Sequence, residues 1–330
     1  MKAALEAWLT ERWYSGRPPA AVLVWIEALY RRGVQKRRAG EGAPVALPVP
    51  VIVVGNFTVG GTGKTPLCIA LADHFRRRGF RPGIVTRGHG RRSREPVRVA
   101  VDTPVDDCGD EPALMFARTG VPVQVDADRV AAARALIADG CDLLLADDGL
   151  QHRRLGRDLE IEVVDGQRRY GNGHLMPAGP LREEPRPTAL RVVNGPGARG
   201  GEWPMGLLLG DALSLDGAQR RPLARFGDGE IATVTGIGNP RRFFAALELA
   251  GLRVRGRAFA DHHRFTARDF AGLSRPVLMT EKDAVKCRGL GLVDAWAVPV
   301  QADLPAEFFH ALDVKLDALG VHANPDRKPS

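Results

Sequence analysis

The chain has 330 residues, enough for one large or two ordinary domains, and no apolar run reaches the roughly 18 residues that a membrane-spanning helix needs. Its four cysteines form no CxxC pair, and its N-terminus lacks a signal-peptide pattern, so we expect a protein of a reducing compartment without a zinc knuckle or a disulfide framework. The 47 Lys and Arg exceed the 39 Asp and Glu, and this formal charge of +8 favours an anionic partner: a nucleotide, a phosphorylated substrate, a nucleic acid or an anionic membrane.

Residues 1–38 form a segment rich in aromatic and basic side chains. It contains Trp8, Trp13 and Trp25, and its apolar stretch AAVLVWIEALY is followed by arginines and lysines. This pattern is typical of a helix that lies in a membrane interface, where aromatic rings sit at headgroup depth and cations meet anionic lipid. A helix with one face packed on the protein's own core has the same pattern. Both interpretations are open at this point.

Strand and helix patterns alternate from residue 49 onward. The apolar run VIVVG is followed by a glycine-rich loop and by KTPLCIALADHFRRRG, in which Leu67, Leu71 and Phe75 share one helix face. The segments PGIVTRG, CDLLLADDG and LEIEVVDG continue as short strands that are apolar on both faces, as a buried parallel sheet requires. The sequence therefore predicts an α/β fold with a doubly wound, mostly parallel sheet, like that of P-loop NTPases.

A loosely ordered stretch separates two alternating regions. Residues 166–230 are rich in Gly, Pro and Arg, and strand and helix patterns resume at EIATVTGIGNP and end with a helix near residues 305–319. We therefore expect an interfacial segment at 1–38, a nucleotide-binding core at 39–225, and a smaller C-terminal α/β lobe at 226–330 that contributes to the active-site cleft.

The stretch GNFTVGGTGKTP lies between a strand and a helix and approaches the phosphate-binding pattern G-x-x-x-x-G-K-[ST]. Glycines allow several backbone N–H groups to converge on phosphate oxygens, and the helix N-terminus adds partial positive charge. The first position is Thr58 instead of Gly, and a tight turn with a chance lysine is the competing interpretation. The pattern predicts a nucleoside triphosphate site formed by Thr58, Val59, Gly60, Gly61, Thr62, Gly63, Lys64 and Thr65.

The strand LLLADDG ends in Asp147 and Asp148. A strand of this kind holds Mg²⁺ beside the phosphates in P-loop proteins, with help from the hydroxyl of the residue that corresponds to Thr65. Aspartates at strand ends also cap turns. In one parallel sheet, however, the carboxyl ends of the strands lie at the same edge, so both elements are expected at one site.

Two further stretches carry candidate acid and base groups. CGDEPALMF contains Asp110 and Glu111, and FADHHRFT contains Asp261 and His262. Asp110 as a helix N-cap and His262 as a structural, hydrogen-bonded histidine are the competing interpretations. TGIGNP and MTEKDAVK are interpreted as two further loops after strands, which would form walls of the same cleft.

Nine segments in order resemble one family, the tetraacyldisaccharide 4'-kinases, which are the lipid A 4'-kinases of Gram-negative bacteria. They are GNFTVGGTGKTP, TRGHGRR, GDEP, VDADRVAAA, ADDGLQHRRLGRDLEIEVVDG, GNGHLMPAGPLRE, TGIGNP, FADHHRFT and TEKD. The aromatic N-terminal segment is similar to the membrane-associating helix of the family. His89 departs from the resemblance, because the family more often has an aromatic residue there, and we assign that loop no role.

The resemblance implies transfer of the γ-phosphate of ATP to the 4'-hydroxyl of a tetraacyldisaccharide 1-phosphate, with Mg²⁺ as cofactor, at the cytoplasmic face of the inner membrane. It implies no nucleic acid and no obligate protein partner. The residues that it assigns are Asp110 and His262 as a base dyad beside Lys64, Glu111, Asp147, Asp148 and Thr65 for the metal, and Gln151, Arg182, Glu183 and Asp261 in the substrate cleft.

Other classes of protein share parts of this pattern. A metallochaperone-type GTPase needs an N-K-x-D loop, and in TEKD the spacing fails because Asp283 directly follows Lys282. A partitioning ATPase has a signature lysine where this chain has Val59. A nucleic-acid-binding module is disfavoured because the arginines are dispersed and no reading motif is present.

Overall fold

A computed structural model of the chain describes residues 2–323, with the side chains of residues 2–4, 6 and 7 left out. Residues 324–330 of the predicted C-terminal lobe lie outside the described residues. The α-helices are α1 (Lys2–Tyr14), α2 (Ala21–Gly40), α3 (Lys64–Arg77), α4 (Val105–Cys108), α5 (Asp110–Thr119), α6 (Arg129–Ala138), α7 (Pro240–Leu249), α8 (Glu281–Cys287) and α9 (Ala306–Ala318).

Short 3₁₀ helices span Leu223–Phe226 and Ala267–Phe270. The strands are β1 (Val51–Gly55), β2 (Pro82–Thr86), β3 (Val97–Arg98), β4 (Val123–Val125), β5 (Leu143–Asp147), β6 (Leu159–Asp165), β7 (Leu190–Asn194), β8 (Trp203–Leu209), β9 (Ala212–Ser214), β10 (Arg220–Arg221), β11 (Glu230–Thr235), β12 (Arg253–Ala258), β13 (Val277–Thr280), β14 (Ala295–Val298) and β15 (Val300–Asp303).

The chain divides into two compact units. Within the described residues, unit 1 comprises residues 2–87, 121–206 and 304–323, and unit 2 comprises 88–120 and 207–303. This division differs from the predicted boundaries in three segments, because residues 88–120 and 207–225 of the predicted core fall in unit 2 and residues 304–323 of the predicted C-terminal lobe fall in unit 1. Residues 88–120 belong to unit 2 because α5 packs on α8, and α9 belongs to unit 1, where Asp313 accepts hydrogen bonds from His74 and Arg78 of α3, each at 2.8 Å.

Unit 1 is built on a parallel sheet with the strand order β8-β7-β6-β1-β5-β2-β4. The central strand β1 is buried at every residue, as an apolar run covered on both faces must be. Helix α3 buries the predicted face of Leu67, Leu71 and Phe75 completely. Since the strands are parallel, the loops after β1, β5, β2 and β4 all leave the same edge of the sheet.

Unit 2 contains a second sheet with the order β10-β9-β14-β13-β11-β12, in which β11 to β14 are parallel to one another. Strand β9 pairs antiparallel with β14. The buried apolar residues of unit 2 form two clusters. One includes Phe265 and Met279, and the other includes Phe243 and Trp296. The stretch TEKDAVK is not a loop as predicted. It forms helix α8, which Thr280 caps by accepting from the N–H of Asp283.

Candidate active site

Glycines shape the loop between β1 and α3. Gly60 and Gly63 have φ angles of 107° and 98°, which other residues rarely adopt. A Cβ on Gly63 would lie 2.6 Å from Nδ2 of Asn194, and that amide donates to the carbonyl of Thr62 at 2.9 Å. The Thr62 hydroxyl is buried and has no hydrogen-bond partner within residues 2–323. The loop thus has the shape and the unsatisfied donor of a phosphate cradle at a helix N-terminus.

Lys64 reaches from the first turn of α3 to the ends of neighbouring strands. Its Nζ donates to Oδ1 of Asn56 at 3.0 Å and lies 3.5 Å from Oδ1 of Asp148. Arg182 donates to both carboxylate oxygens of Asp148, at 2.7 and 2.9 Å. Burial raises the pKa of Asp148, but Lys64 and Arg182 outweigh it and hold the pKa well below its usual range. The carboxylate is therefore ionised beside two cations.

Asp147, the last residue of β5, is buried. It accepts a hydrogen bond from the Thr86 hydroxyl at 3.2 Å and from the Cys68 thiol at 3.7 Å. Among residues 2–323, no group of three or more His, Cys, Asp and Glu side chains is arranged to hold a metal. Mg²⁺ needs no such group, because it binds one or two carboxylates together with water and substrate phosphates. The oxygens of Asp147, Asp148 and Thr65 are of the type that this ion prefers.

Gln151 and Glu183, which were predicted to line the substrate cleft, form hydrogen bonds and ion pairs beside the glycine loop. Nε2 of Gln151 donates to the carbonyl of Asn56 at 3.0 Å and to Oε1 of Glu183 at 3.3 Å. Glu183 is buried and also forms ion pairs with Arg38 of α2 and, at 3.5 Å, with Arg153. These contacts fix the backbone carbonyl of Asn56, whose side chain accepts from Lys64.

The remaining predicted site residues, which lie in unit 2, are Asp110, Glu111, Asp261 and His262. Nδ1 of His262 lies 3.0 and 3.2 Å from the two carboxylate oxygens of Asp110, the first residue of α5. Asp110 is not the helix N-cap, because Gly109 occupies that position. His262 has a φ of 58°, in the left-handed region. A strained backbone at a residue other than glycine is typical of functional sites.

The two groups perturb one another. The hydrogen bond that His262 donates to Asp110 raises the pKa of His262. Burial raises the pKa of Asp110, but the hydrogen bond that it accepts from His262 and the charge of Lys282 lower the pKa below its usual value. Nε2, the ring nitrogen not bonded to Asp110, lies 3.9 Å from Oδ2 of Asp261. An imidazole that an ionised carboxylate orients in this way is suited to accept a proton from a hydroxyl group.

Lys282 of α8 is surrounded by carboxylates. Its Nζ donates to Oε1 of Glu111 at 3.0 Å and lies 3.7 Å from Asp261 and 3.8 Å from Asp110. Burial lowers the pKa of Lys282, but the three carboxylates raise it above its usual value. Glu111, predicted as a metal ligand, is therefore neutralised by an ammonium group in this structure.

A cavity of about 490 Å³ lies within unit 2 beside the dyad. Its lining combines charged groups with apolar side chains and includes Asp110, His262, Lys286, Val105 and Phe116. Such a mixture suits an amphipathic ligand.

The chain matches one family model, described as LpxK: Tetraacyldisaccharide-1-P 4'-kinase, over residues 19–317. The chain belongs to this family. It is 49% identical over 328 residues to the tetraacyldisaccharide 4'-kinase of Stenotrophomonas maltophilia, with 93% of this chain and 96% of that protein covered. The corresponding protein of Xanthomonas axonopodis pv. citri is 48% identical over 335 residues, with 93% and 95% covered.

One solved structure is similar over most of the chain. It is the "apo" form of LpxK from Aquifex aeolicus in complex with ATP, which is 27% identical, has a TM-score of 0.73, and covers 88% of this chain and 96% of that one. The predicted family, the α/β fold and the kinase class are confirmed. The alternative of a metallochaperone or partitioning ATPase or GTPase is not favoured.

The N-terminal helices of this LpxK family member expose apolar side chains and bury a charged one. In α2, Trp25 is 80% and Leu29 65% exposed, whereas Glu27 is 5% exposed. Glu27 accepts from the N–H of Leu175 at 3.1 Å and pairs with Nδ1 of His174 at 2.8 Å. Tyr30 of α2 packs against the core of unit 1, whereas Trp25 and Leu29 remain exposed. No helix within residues 2–323 has the length and apolar character to cross a bilayer.

Sequence reasoning missed two residues that contact the predicted groups. Asn56 lies inside the quoted glycine stretch, but its contact with Lys64 depends on the loop conformation. Lys282 lies inside TEKD, and a helical assignment of that stretch would have placed it on α8 together with Lys286.

Proposed function

We propose that the chain transfers the γ-phosphate of ATP to the 4'-hydroxyl of a tetraacyldisaccharide 1-phosphate, which yields the 1,4'-bisphosphate lipid IVA. The observation that carries this proposal is the glycine loop with Lys64, Asp148 and Arg182 held together at its mouth. Membership of the LpxK family and the ATP present in the Aquifex aeolicus structure support it.

In this proposal unit 1 holds the nucleotide. Backbone N–H groups of the loop and the Thr62 hydroxyl bind phosphate oxygens, and Lys64 stabilises negative charge on the transferring phosphoryl group. Mg²⁺, held by Thr65, Asp147 or Asp148, would supply further neutralisation of the phosphates. When Lys64 turns to the nucleotide, Arg182 remains as the partner of Asp148.

His262 acts as the general base in unit 2. The 4'-oxygen attacks the γ-phosphorus, the bond to the bridging oxygen of ADP breaks, and Nε2 of His262 takes the hydroxyl proton. Asp110 holds the ring through Nδ1 and stabilises the imidazolium that forms. A positioned base of this kind contributes about 10² to 10⁴ in rate.

In this proposal the enzyme binds the membrane surface through exposed apolar residues of α1 and α2. Trp8, Trp25 and Leu29 enter the interface, and the exposed Lys36 and Arg37 near the end of α2 contact anionic headgroups at the cytoplasmic face of the inner membrane. The acyl chains of the acceptor then stay in the lipid while its sugar reaches the cavity of unit 2.

An assay with γ-labelled ATP, Mg²⁺ and tetraacyldisaccharide 1-phosphate in detergent tests the activity. We expect a labelled lipid from the wild type and from Lys315→Met, which changes an exposed lysine of α9, and about 10²- to 10³-fold slower labelling with Lys64→Met. ATP hydrolysis without a labelled lipid would contradict the proposal and favour an assembly ATPase.

A further inference from the structure

Residues 174–184 contact both the N-terminal helices and the glycine loop of unit 1, and we call them the connecting segment. The segment folds back on itself. The N–H of Leu181 donates to the carbonyl of His174 at 3.1 Å, and the N–H of Met176 donates to the carbonyl of Leu181 at 2.9 Å. Residues 174–176 and 181 therefore lie side by side, and a displacement of His174 also displaces Leu181.

The connecting segment pairs with the start of the glycine loop. The N–H of Val59 donates to a carbonyl of the segment at 2.8 Å, and the N–H of Arg182 donates to the carbonyl of Phe57 at 2.7 Å. Between these two hydrogen bonds, Thr58 lies opposite Leu181 in an antiparallel bridge. Thr58 and Val59 are the first two residues of the predicted phosphate-binding stretch. The connecting segment therefore sets the path of the chain into the loop.

Arg182 also acts through its side chain. Its guanidinium donates to both carboxylate oxygens of Asp148, which lies 3.5 Å from Nζ of Lys64. A shift of the Arg182 backbone would move this guanidinium with it. The position of the connecting segment thus determines both the path of the loop and the arrangement of charges beside Lys64.

Helix α2 holds the connecting segment through two residues. Oε1 of Glu27 accepts from the N–H of Leu175 at 3.1 Å, and Oε2 lies 2.8 Å from Nδ1 of His174. The Tyr30 hydroxyl donates to the carbonyl of Arg182 at 3.0 Å. Glu27 and Tyr30 are three residues apart and lie on one face of the helix. A single turn of α2 therefore contacts the segment at both of its ends.

The buried charge of Glu27 sets these contacts apart from ordinary helix packing. Glu27 lies on a helix whose exposed residues include Trp25 and Leu29, and burying a carboxylate is costly unless hydrogen bonds compensate it. Burial raises the pKa of Glu27, but hydrogen bonds from His174 and Leu175 lower it below its usual value. A helix that served only for packing has no need of a buried carboxylate here, whereas a helix that orients a polar segment does.

We propose that Glu27 and Tyr30 are positioning residues of the nucleotide site, which act through the connecting segment on the glycine loop and on Arg182. This inference rests on the proposed function. It gives helix α2 a second role. The helix whose Trp25 and Leu29 are proposed to contact lipid also shapes the site that binds ATP.

Two substitutions and a matched control test this role. Tyr30→Phe removes only the hydroxyl that donates to Arg182, and Glu27→Gln removes the charge while its amide oxygen can still accept from Leu175. The control is Tyr14→Phe at the end of α1, which removes a hydroxyl that has no hydrogen-bond partner within residues 2–323. The measurements are calorimetric affinity for Mg-ATP without lipid, KM for each reactant, sedimentation with anionic vesicles, and thermal stability.

We expect Tyr30→Phe to weaken Mg-ATP binding about 2- to 10-fold, as for the loss of one hydrogen bond between uncharged groups. Glu27→Gln should weaken it about 10-fold, since an interaction of a charged group is lost. Both variants should raise KM for ATP and leave KM for the glycolipid and vesicle sedimentation at wild-type level. Tyr14→Phe should match the wild type. Binding is measured well below the unfolding temperature of each variant, so that lost stability alone does not change the affinity.

The positioning role is overturned if Tyr30→Phe and Glu27→Gln lower thermal stability but bind Mg-ATP with wild-type affinity, or if weaker vesicle sedimentation is their only change. If Glu27→Gln does not fold, Tyr30→Phe decides: weaker Mg-ATP binding supports the role, and unchanged binding overturns it. A wild type that does not phosphorylate the glycolipid contradicts the proposed function. An active wild type whose variants keep the full affinity for Mg-ATP contradicts the positioning role alone.

Discussion

The substitution Asp110→Asn gives the sharpest test of the proposed base pair of Asp110 and His262. An asparagine keeps the size of the side chain, and its amide oxygen still accepts a hydrogen bond from Nδ1, so the change removes charge while it preserves the orientation of the ring. At the separation of 3.0 Å, a full ion pair in a medium of effective dielectric constant about 20 is worth about 5 kcal/mol.

Solvent at the partly exposed His262 and the retained hydrogen bond reduce this value. We expect a loss of about 1.4 to 3 kcal/mol in transition-state stabilisation, which is a decrease of about 10- to 100-fold in kcat. The sign of the pH effect follows from the direction of the shift. Asp110 raises the pKa of His262, and the base acts only when neutral. Loss of the carboxylate therefore moves the acidic limb of the pH profile of kcat/KM to lower pH, while Lys282 nearby acts in the same direction.

The assay is labelled phosphate transfer to the glycolipid between about pH 5 and 9, which brackets the ordinary pKa of histidine. Asp269→Asn is the matched control, because Asp269 lies 3.2 Å from Nε2 of the neighbouring His263. This control should lower thermal stability, since Asp269 also caps a 3₁₀ helix, and should leave kcat unchanged. The proposed role of the dyad is refuted if Asp110→Asn folds normally and retains the wild-type kcat and pH profile.

Three further outcomes follow from the structure. Lys64→Met should lower kcat by about 10² to 10³, as expected for a group that stabilises transition-state charge, and single-turnover kinetics that match the wild type would contradict this role. Gly63→Ala should abolish calorimetric Mg-ATP binding, because the new Cβ would lie 2.6 Å from Nδ2 of Asn194 at a φ of 98°; retained affinity would argue against the cradle. Replacing Trp25 and Leu29 together by Ser should reduce sedimentation with anionic vesicles while activity on detergent-dispersed substrate persists, and unchanged sedimentation would place membrane contact elsewhere.

The elements whose pattern is local could be predicted from the sequence. The apolar run of β1, the glycine motif of the loop and the helical spacing of apolar residues in α3 together indicate a strand, a loop and a helix. Leu67 and Phe75 are buried, as the helical spacing requires. Asp147 and Asp148 could be predicted as site residues because they stand at the end of a buried strand.

The partners that a side chain meets from distant segments could not be predicted. Helix α9 is an example, because its Asp313 contacts α3 across more than 200 residues. The sequence of α2 did not show which face is exposed. The structure buries Glu27 and leaves Trp25 and Leu29 exposed.

The position of the new phosphate on the product tests the central claim most directly. Purified protein, ATP and tetraacyldisaccharide 1-phosphate should yield a lipid whose added phosphomonoester is assigned by NMR and mass spectrometry to the 4'-oxygen of the distal sugar. A phosphate on any other hydroxyl, or release of inorganic phosphate with an unmodified glycolipid, would contradict the account.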